Sequence, residues 1–152
     1  MQRICLFPGS FDPITKGHVD IIERSISLFD KMVIGIGVNS GKQPMFTAEQ
    51  RTDWIREIFR NDDRIEVAAY EGLTVEFCKK IGAGFILRGV RYVSDFEYER
   101  AIADMNRMLS PGLETIFLTS SPEYSTVSST LVRDVIRNNG NVDRFIPDEV
   151  KW

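Results

Sequence analysis

The sequence predicts a single α/β domain whose core is a doubly wound, mainly parallel, five-stranded sheet with helices on both faces. Three observations carry this. Short, almost continuously apolar runs recur along the chain, as strands covered on both faces require. Segments with apolar residues at helical spacing lie between them. The length of 152 residues suits one domain able to bury a core, and no linker, repeat or low-complexity tract divides it.

The elements alternate in chain order. Arg3–Phe7 is the first strand. Val19, Ile22, Ile26 and Phe29 then step by three, four and three, which makes one apolar helical stripe. Met32–Val38 is the second strand. Thr47-Ala48-Glu49-Gln50 has the form of a capping box and opens a helix carrying Trp54, Ile55, Ile58 and Phe59. Ile65–Ala69 is the third strand, and Leu73–Ile81 is a helix stopped at Gly82 in the left-handed conformation. Phe85–Leu87 is the fourth strand. Ser94-Asp95-Phe96-Glu97 reads as a second capping box, opening a helix to about Leu109. Thr115–Leu118 is the fifth strand, and Thr130–Asn138 a last helix closed by Gly140. Repeated strand–helix alternation implies right-handed crossovers and a Rossmann-like sheet.

Composition narrows the function classes. At 43% hydrophobic and 27% charged residues, with 11 Gly and 6 Pro, the chain is neither disordered, collagenous nor coiled coil. Its 22 acidic and 19 basic residues leave a net charge of −3, and no basic clustering marks a nucleic-acid partner. No apolar stretch approaches the ~20 residues of a membrane span. Met1-Gln2-Arg3-Ile4 enters the first strand without a signal-peptide core. A cytoplasmic location without a membrane partner is expected. Cys5 and Cys78 are too isolated for a disulfide framework or a metal site and read as buried thiols.

In open α/β sheets, ligands bind beyond the carboxyl ends of the strands, where strand order reverses. The informative segments are therefore Pro8–His18, Asn39–Phe46, Tyr70–Thr74, Arg88–Ser94 and Ser120–Ser129. The first, Pro8-Gly9-Ser10-Phe11-Asp12-Pro13-Ile14-Thr15-Lys16-Gly17-His18, is neither GxGxxG nor GxxxxGK[ST]. Gly9 and Gly17 let backbone approach a ligand closely. His18 falls in the first turn of a helix, where unpaired N–H groups and the dipole favour phosphate. Its plainer role is to cap that helix. Lys42 alone is a solvated surface lysine, and Arg91 could pair with Asp95 or Glu99. Ser128-Ser129-Thr130 could serve only as an N-cap. Arg88, directly after an apolar strand, needs a partner if buried. Phe96, Tyr98, Ile102 and Met105 suit core or interface positions, and some could line a channel.

Thr15-Lys16-Gly17-His18 after Gly9-Ser10-Phe11-Asp12-Pro13 resembles the [T/H]xGH signature of the nucleotidyltransferase superfamily. Three further segments are Arg88-Gly89-Val90-Arg91, Asp95-Phe96-Glu97-Tyr98-Glu99 and Met105-Asn106-Arg107. With Ser125-Thr126-Val127-Ser128-Ser129-Thr130-Leu131-Val132-Arg133, they resemble the pantetheine-phosphate adenylyltransferases of bacterial coenzyme A biosynthesis. The resemblance runs from Arg3 to about Pro147. It implies transfer of the adenylyl group of ATP to 4′-phosphopantetheine, giving dephospho-coenzyme A and pyrophosphate. A phosphate nucleophile, with a second pKa of about 6, needs no general base. Such a site must gather two polyanions and stabilise charge at the α-phosphate.

The resemblance further implies that His18 stabilises the transition state at the α-phosphate and that Lys42 grips phosphate from the pantetheine side. Arg88 would bind the 4′-phosphate and Arg91 the departing pyrophosphate, since the planar guanidinium fork suits both. Ser10 would bridge the two substrates with its hydroxyl, and Thr74 would meet the pantetheine arm. Phe11, Gly89, Val90, Arg91 and Glu99 would touch the nucleotide. Tyr124, Ser125, Thr126, Val127, Ser128, Ser129 and Thr130 would hold adenine, ribose and triphosphate. Mg²⁺ is expected on the ATP phosphates, with no protein ligand; Asp12 instead reads as an Asx-type acceptor holding its loop. A homohexamer is expected from the family, and feedback by coenzyme A from the pantetheine arm that product and substrate share. Members usually continue beyond the Phe-Ile-Pro element, whereas this chain ends at Lys151-Trp152. Rival readings are a transferase making NAD or a CDP-alcohol, and a non-catalytic ATP sensor.

Overall fold

A computed structural model describes residues 1–39 and 41–152. Strands β1 (Ile4–Gly9), β2 (Lys31–Gly37), β3 (Ile65–Tyr70), β4 (Phe85–Val90) and β5 (Glu114–Thr119) form one sheet in the order β3-β2-β1-β4-β5. Every pairing is parallel. Helices α1 (Lys16–Ser25), α2 (Ala48–Ile58), α3 (Thr74–Ile81), α4 (Val93–Leu109) and α5 (Ser129–Arg137) lie between and after the strands. Winding reverses between β1 and β4, because the chain runs outward to β3 and then returns to the far side of β1.

The pleat sorts the core into two layers. Cys5, Phe7, Met32, Ile34 and Leu87 face Ile21, Ile22, Ile55 and Val132 of α1, α2 and α5. Leu6, Val33 and Ile86 point the other way, onto Val75, Phe77 and Cys78 of α3. Arg88 follows Ile86 by two residues and so shares that face. Phe117, its register partner on β5, meets Phe96 of α4 at 5.4 Å. Helices therefore cover both faces, as expected. Ile22, Ile34, Ile55 and Leu87 are fully buried, each contributing about 1.5–3 kcal/mol.

Local chemistry departs from the sequence-based expectations at four places. The first apolar stripe is α1 followed by a 3₁₀ turn, Ile26–Leu28. There Ser25 Oγ donates to the carbonyls of Ile21 and Ile22 at 2.7 and 3.2 Å, competing with the helical ladder. Helix α4 opens at Val93, one residue before the expected box. Asp95, not Glu97, reaches back, its carboxylate accepting from the N–H groups of Arg91 and Tyr92 at 3.0 and 3.2 Å. The left-handed residue after α5 is Asn139, at φ 58°. Gly140 is needed for space instead: a Cβ there would lie 2.5 Å from Val135 Cγ1. Asp12 holds a neighbouring loop, its carboxylate accepting from Met45 N and Phe46 N at 2.9 Å each. Gly82 does end α3 in the left-handed conformation, at φ 71°, and the Thr47–Gln50 capping box is present.

Candidate active site

A cleft of about 460 Å³ opens above the carboxyl ends of β1 and β4, at the reversal of strand order. Ser10, Phe11, His18, Arg88, Gly89, Arg91, Glu99, Val127, Ser128 and Ser129 all line it. A narrower cavity of about 220 Å³ runs beside it toward α3 and α4 and contains Thr74. Pro8, Gly9, Arg88 and Glu99 belong to both, so they form the shared wall.

His18 enters the cleft because it is the N3 residue of α1 and completes a capping box. Thr15 N–H donates to its Nδ1 at 3.0 Å, while Thr15 Oγ1 accepts from His18 N–H at 3.3 Å. An Nδ1 that accepts must carry a lone pair, so the ring proton of the neutral form sits on Nε2. Capping and a ligand role are thus compatible: one nitrogen serves the helix and leaves the other available as a donor. The rings of Phe11 and Phe7 pack edge-on to the imidazole at 5.0 and 6.4 Å. Burial, followed by the charges of Arg88 and Arg91, lowers its pKa from 6.5 to about 4. The imidazole is therefore neutral at pH 7.

A stability prediction follows. The folded pKa lies below the unfolded one, so the unfolded chain binds more protons between about pH 6.5 and 4, and stability falls as pH drops through that window. From pH 7 to 5 the loss is about 2 kcal/mol. His18 is the sole histidine, so His18→Gln should flatten the slope of urea-unfolding free energy between pH 7 and 5. An unchanged slope would assign it to other groups.

Arg88 is held on three sides. Its Nε and Nη2 donate to the two carboxylate oxygens of Glu99 at 2.8 and 2.6 Å, and Nη1 donates to Pro8 O at 2.7 Å. Two of its five N–H bonds are left for a ligand. Arg91 pairs with Asp95 at 3.4 Å rather than with Glu99. Ser128 Oγ caps α5 by accepting from Leu131 N–H at 3.2 Å, and Ser129 Oγ donates to Pro13 O at 2.7 Å. Among the described residues, the N–H groups of Gly17, Ser129 and Thr130 have no hydrogen-bond partner. They belong to the first turns of α1 and α5, where anions are favoured.

The remaining expected site residues lie outside both cavities. Tyr124 packs beside Gly17, its Cβ 3.5 Å from where a Cβ on that glycine would stand. Ser125 Oγ donates to Pro122 O at 3.0 Å, and Thr130 Oγ1 accepts from Arg133 at 3.3 Å. Thr126 is exposed and Val90 buried. Lys42 is exposed on the loop after β2, at the same end of the sheet as the cleft. Sequence reasoning gave no site role to Tyr70, Ala103 or Asn106, which line the narrower cavity with Ile102 and Glu99, although Tyr70 opens one of the informative segments and Asn106 lies in a segment that carries the resemblance. The spacing of 99, 102, 103 and 106 along one helix face was the available signal.

The carboxylates around the cleft are committed to protein donors. Glu99 holds Arg88, Asp95 holds the N-terminus of α4, and Asp12 holds Met45 and Phe46. Among the described residues, no group of three or more His, Cys, Asp or Glu could hold a metal ion. This donor set fits a Mg²⁺ carried by substrate phosphates.

A cytidylyltransferase-like family model matches residues 6–135. A phosphopantetheine adenylyltransferase of Flavobacterium psychrophilum is 53% identical over 150 residues, covering 99% of each chain. The enzyme of that name from Flavobacterium johnsoniae is 51% identical over 99% of this chain and 98% of its own. The chain belongs to the phosphopantetheine adenylyltransferase family. It is accordingly a nucleotidyltransferase. A more distant family member from Caldanaerobacter subterraneus is 43% identical over 98% of this chain and 93% of its own. The fold matches a bifunctional NMN adenylyltransferase/ADP ribose pyrophosphatase from Francisella tularensis with a TM-score of 0.71 at 18% identity. That match covers 96% of this chain and 45% of the other. Among the described residues, no helix is long and apolar enough to cross a membrane.

Proposed function

We propose that this adenylyltransferase joins ATP and 4′-phosphopantetheine by direct in-line displacement, with no covalent enzyme intermediate. The carrying observation is the shared wall: a polar cleft and a narrower, partly apolar cavity meet at Arg88. The cleft suits the nucleotide. The cavity lined by Tyr70, Ile86, Ile102 and Ala103 suits the pantetheine arm, with Thr74 and Asn106 as polar partners.

A phosphate oxygen of phosphopantetheine attacks the α-phosphorus, the bond to the β-phosphate breaks, and pyrophosphate leaves. The attacking phosphate is largely dianionic at pH 7, so no proton need move. Arg88 holds the 4′-phosphate with its two remaining N–H bonds, and Ser10 bridges the substrates. His18 acts as a neutral Nε2–H donor to the α-phosphate, a contact that strengthens as charge builds there. Arg91 and the first turns of α1 and α5 receive the triphosphate. Glu99 reaches the nucleotide side while holding Arg88, and Lys42 meets phosphate from its loop. Mg²⁺ would come bound to the triphosphate oxygens, with no protein ligand, and would supply charge neutralisation there.

Exposed Tyr98, Met105, Met108 and Leu109 on α4 support self-assembly, for which a homohexamer is proposed. Coenzyme A shares the pantetheine arm and would compete for the narrower cavity as a feedback inhibitor. The proposed location is the cytoplasm.

Pyrophosphate release with ATP, Mg²⁺ and 4′-phosphopantetheine, beside nicotinamide mononucleotide and glycerol 3-phosphate, tests the reading. Turnover is expected with phosphopantetheine alone. Turnover with a control would discard the acceptor, and ATP binding without turnover on any acceptor would favour a sensor.

A further inference from the structure

Arg51 is almost wholly buried, at 3% exposure, yet it lines neither cavity. It rises from the first turn of α2. Its Nε donates to the carbonyls of Phe46 and Thr47 at 3.1 and 3.2 Å, and its Nη1 donates to Ser10 O at 2.7 Å. Burying a guanidinium is costly, and packing alone would be served by an apolar side chain. The position it holds is unusual. Phe11, the next residue after Ser10, has φ 47°, a left-handed conformation that a bulky side chain rarely adopts. Such strain persists only where surrounding contacts impose it. The Phe11 ring, 2% exposed, lies against Phe7 and His18.

The Ser10–Phe11 peptide is trans, since among the described residues only Asp12-Pro13 is cis. In a trans peptide the carbonyl and the N–H point in opposite directions. With Ser10 O drawn inward to Arg51, the Phe11 N–H is turned away from it, and Phe11 lines the cleft. Among the described residues that N–H has no hydrogen-bond partner. We propose that Arg51 is a positioning residue for adenylyl transfer, fixing the Ser10–Phe11 peptide so that the Phe11 N–H is presented to a phosphate oxygen of the nucleotide. The same grip places the Ser10 hydroxyl. The inference rests on the adenylyltransferase reading and adds a residue that touches no substrate.

The test uses Arg51→Lys, which keeps the charge and one donor but not the fork, and Arg51→Met, which keeps only the stem. Serine labelled with ¹³C at the carbonyl and ¹⁵N-phenylalanine select the Phe11 amide alone, because Ser10-Phe11 is the only Ser-Phe step in the chain. Adding ATP with Mg²⁺ to the wild type should move that amide proton downfield. Arg51→Lys should lose most of the shift and lower kcat by about 10- to 100-fold, the scale of a misplacement near 1 Å. KM for phosphopantetheine should stay within about twofold, since that substrate occupies the other cavity.

Wild-type kcat and an intact Phe11 shift in folded Arg51→Lys would overturn the proposal. So would loss of thermal stability in both variants with unchanged kcat per folded molecule, which marks a merely structural role. A wild-type Phe11 amide indifferent to ATP overturns it without any variant. The two readings fail separately. If the wild type turns nothing over but its Phe11 shift depends on Arg51, the reaction is wrong and the positioning role stands for nucleotide binding.

Discussion

Replacing His18 by alanine is expected to lower kcat by about 10²- to 10³-fold, the scale of losing one donor aimed at developing charge. KM for both substrates should change by no more than about threefold, because the contact tightens mainly in the transition state. The geometry refines this. Nδ1 is committed to Thr15, and the pKa of about 4 keeps the ring neutral, so the lost group is an Nε2–H donor. Alanine also strips a cap from α1, which costs about 1 kcal/mol. His18→Gln separates the two effects, because glutamine three residues after Thr15 can close an ordinary capping box. It should retain stability at pH 7 and still lose kcat. Steady-state kinetics beside urea unfolding make the comparison, and a raised KM with kcat untouched would remove His18 from transition-state stabilisation.

Arg88→Ala should raise KM for phosphopantetheine by about 10- to 100-fold, the worth of charge-assisted hydrogen bonds to a phosphate. KM for ATP should stay within about threefold. The variant should also lose about 3–5 kcal/mol of stability, because the buried carboxylate of Glu99 loses its bidentate partner. Pairing Arg88→Ala with Glu99→Gln removes the stranded charge. The double variant should regain much of the stability while the phosphopantetheine defect remains. If ATP alone binds more weakly, Arg88 belongs to the nucleotide side. If affinity returns with stability, its role is structural.

Much of this molecule was legible before any coordinate. Apolar runs marked all five strands, because a strand covered on both faces has no polar face to interrupt it. The Thr47–Gln50 cap was readable because both partners lie within one turn. The cleft could be placed at the carboxyl ends of β1 and β4 because right-handed crossovers leave a crevice where winding reverses. His18, Arg88 and Ser128–Ser129 fall there for that reason.

Legibility ended where partners are backbone groups, near or far in the chain. Ser94–Glu97 matched a capping pattern, but the competing N–H groups of Arg91 and Tyr92 drew Asp95 into that task. Asp12 looked like a local turn acceptor and instead ties down Met45 and Phe46, more than thirty residues on. Arg51 and Arg133 reach the carbonyls of Ser10 and Asp12 across 41 and 121 residues. A carbonyl is the same on every residue, so no motif announces which one an arginine will find. The sheet, its winding and the loops that face a ligand could be read from residue order, because they follow from periodicity and chain handedness. Which nitrogen of His18 is available, what holds Arg88 and how the Ser10–Phe11 peptide is turned could not, because each depends on groups that meet only once the sheet has closed.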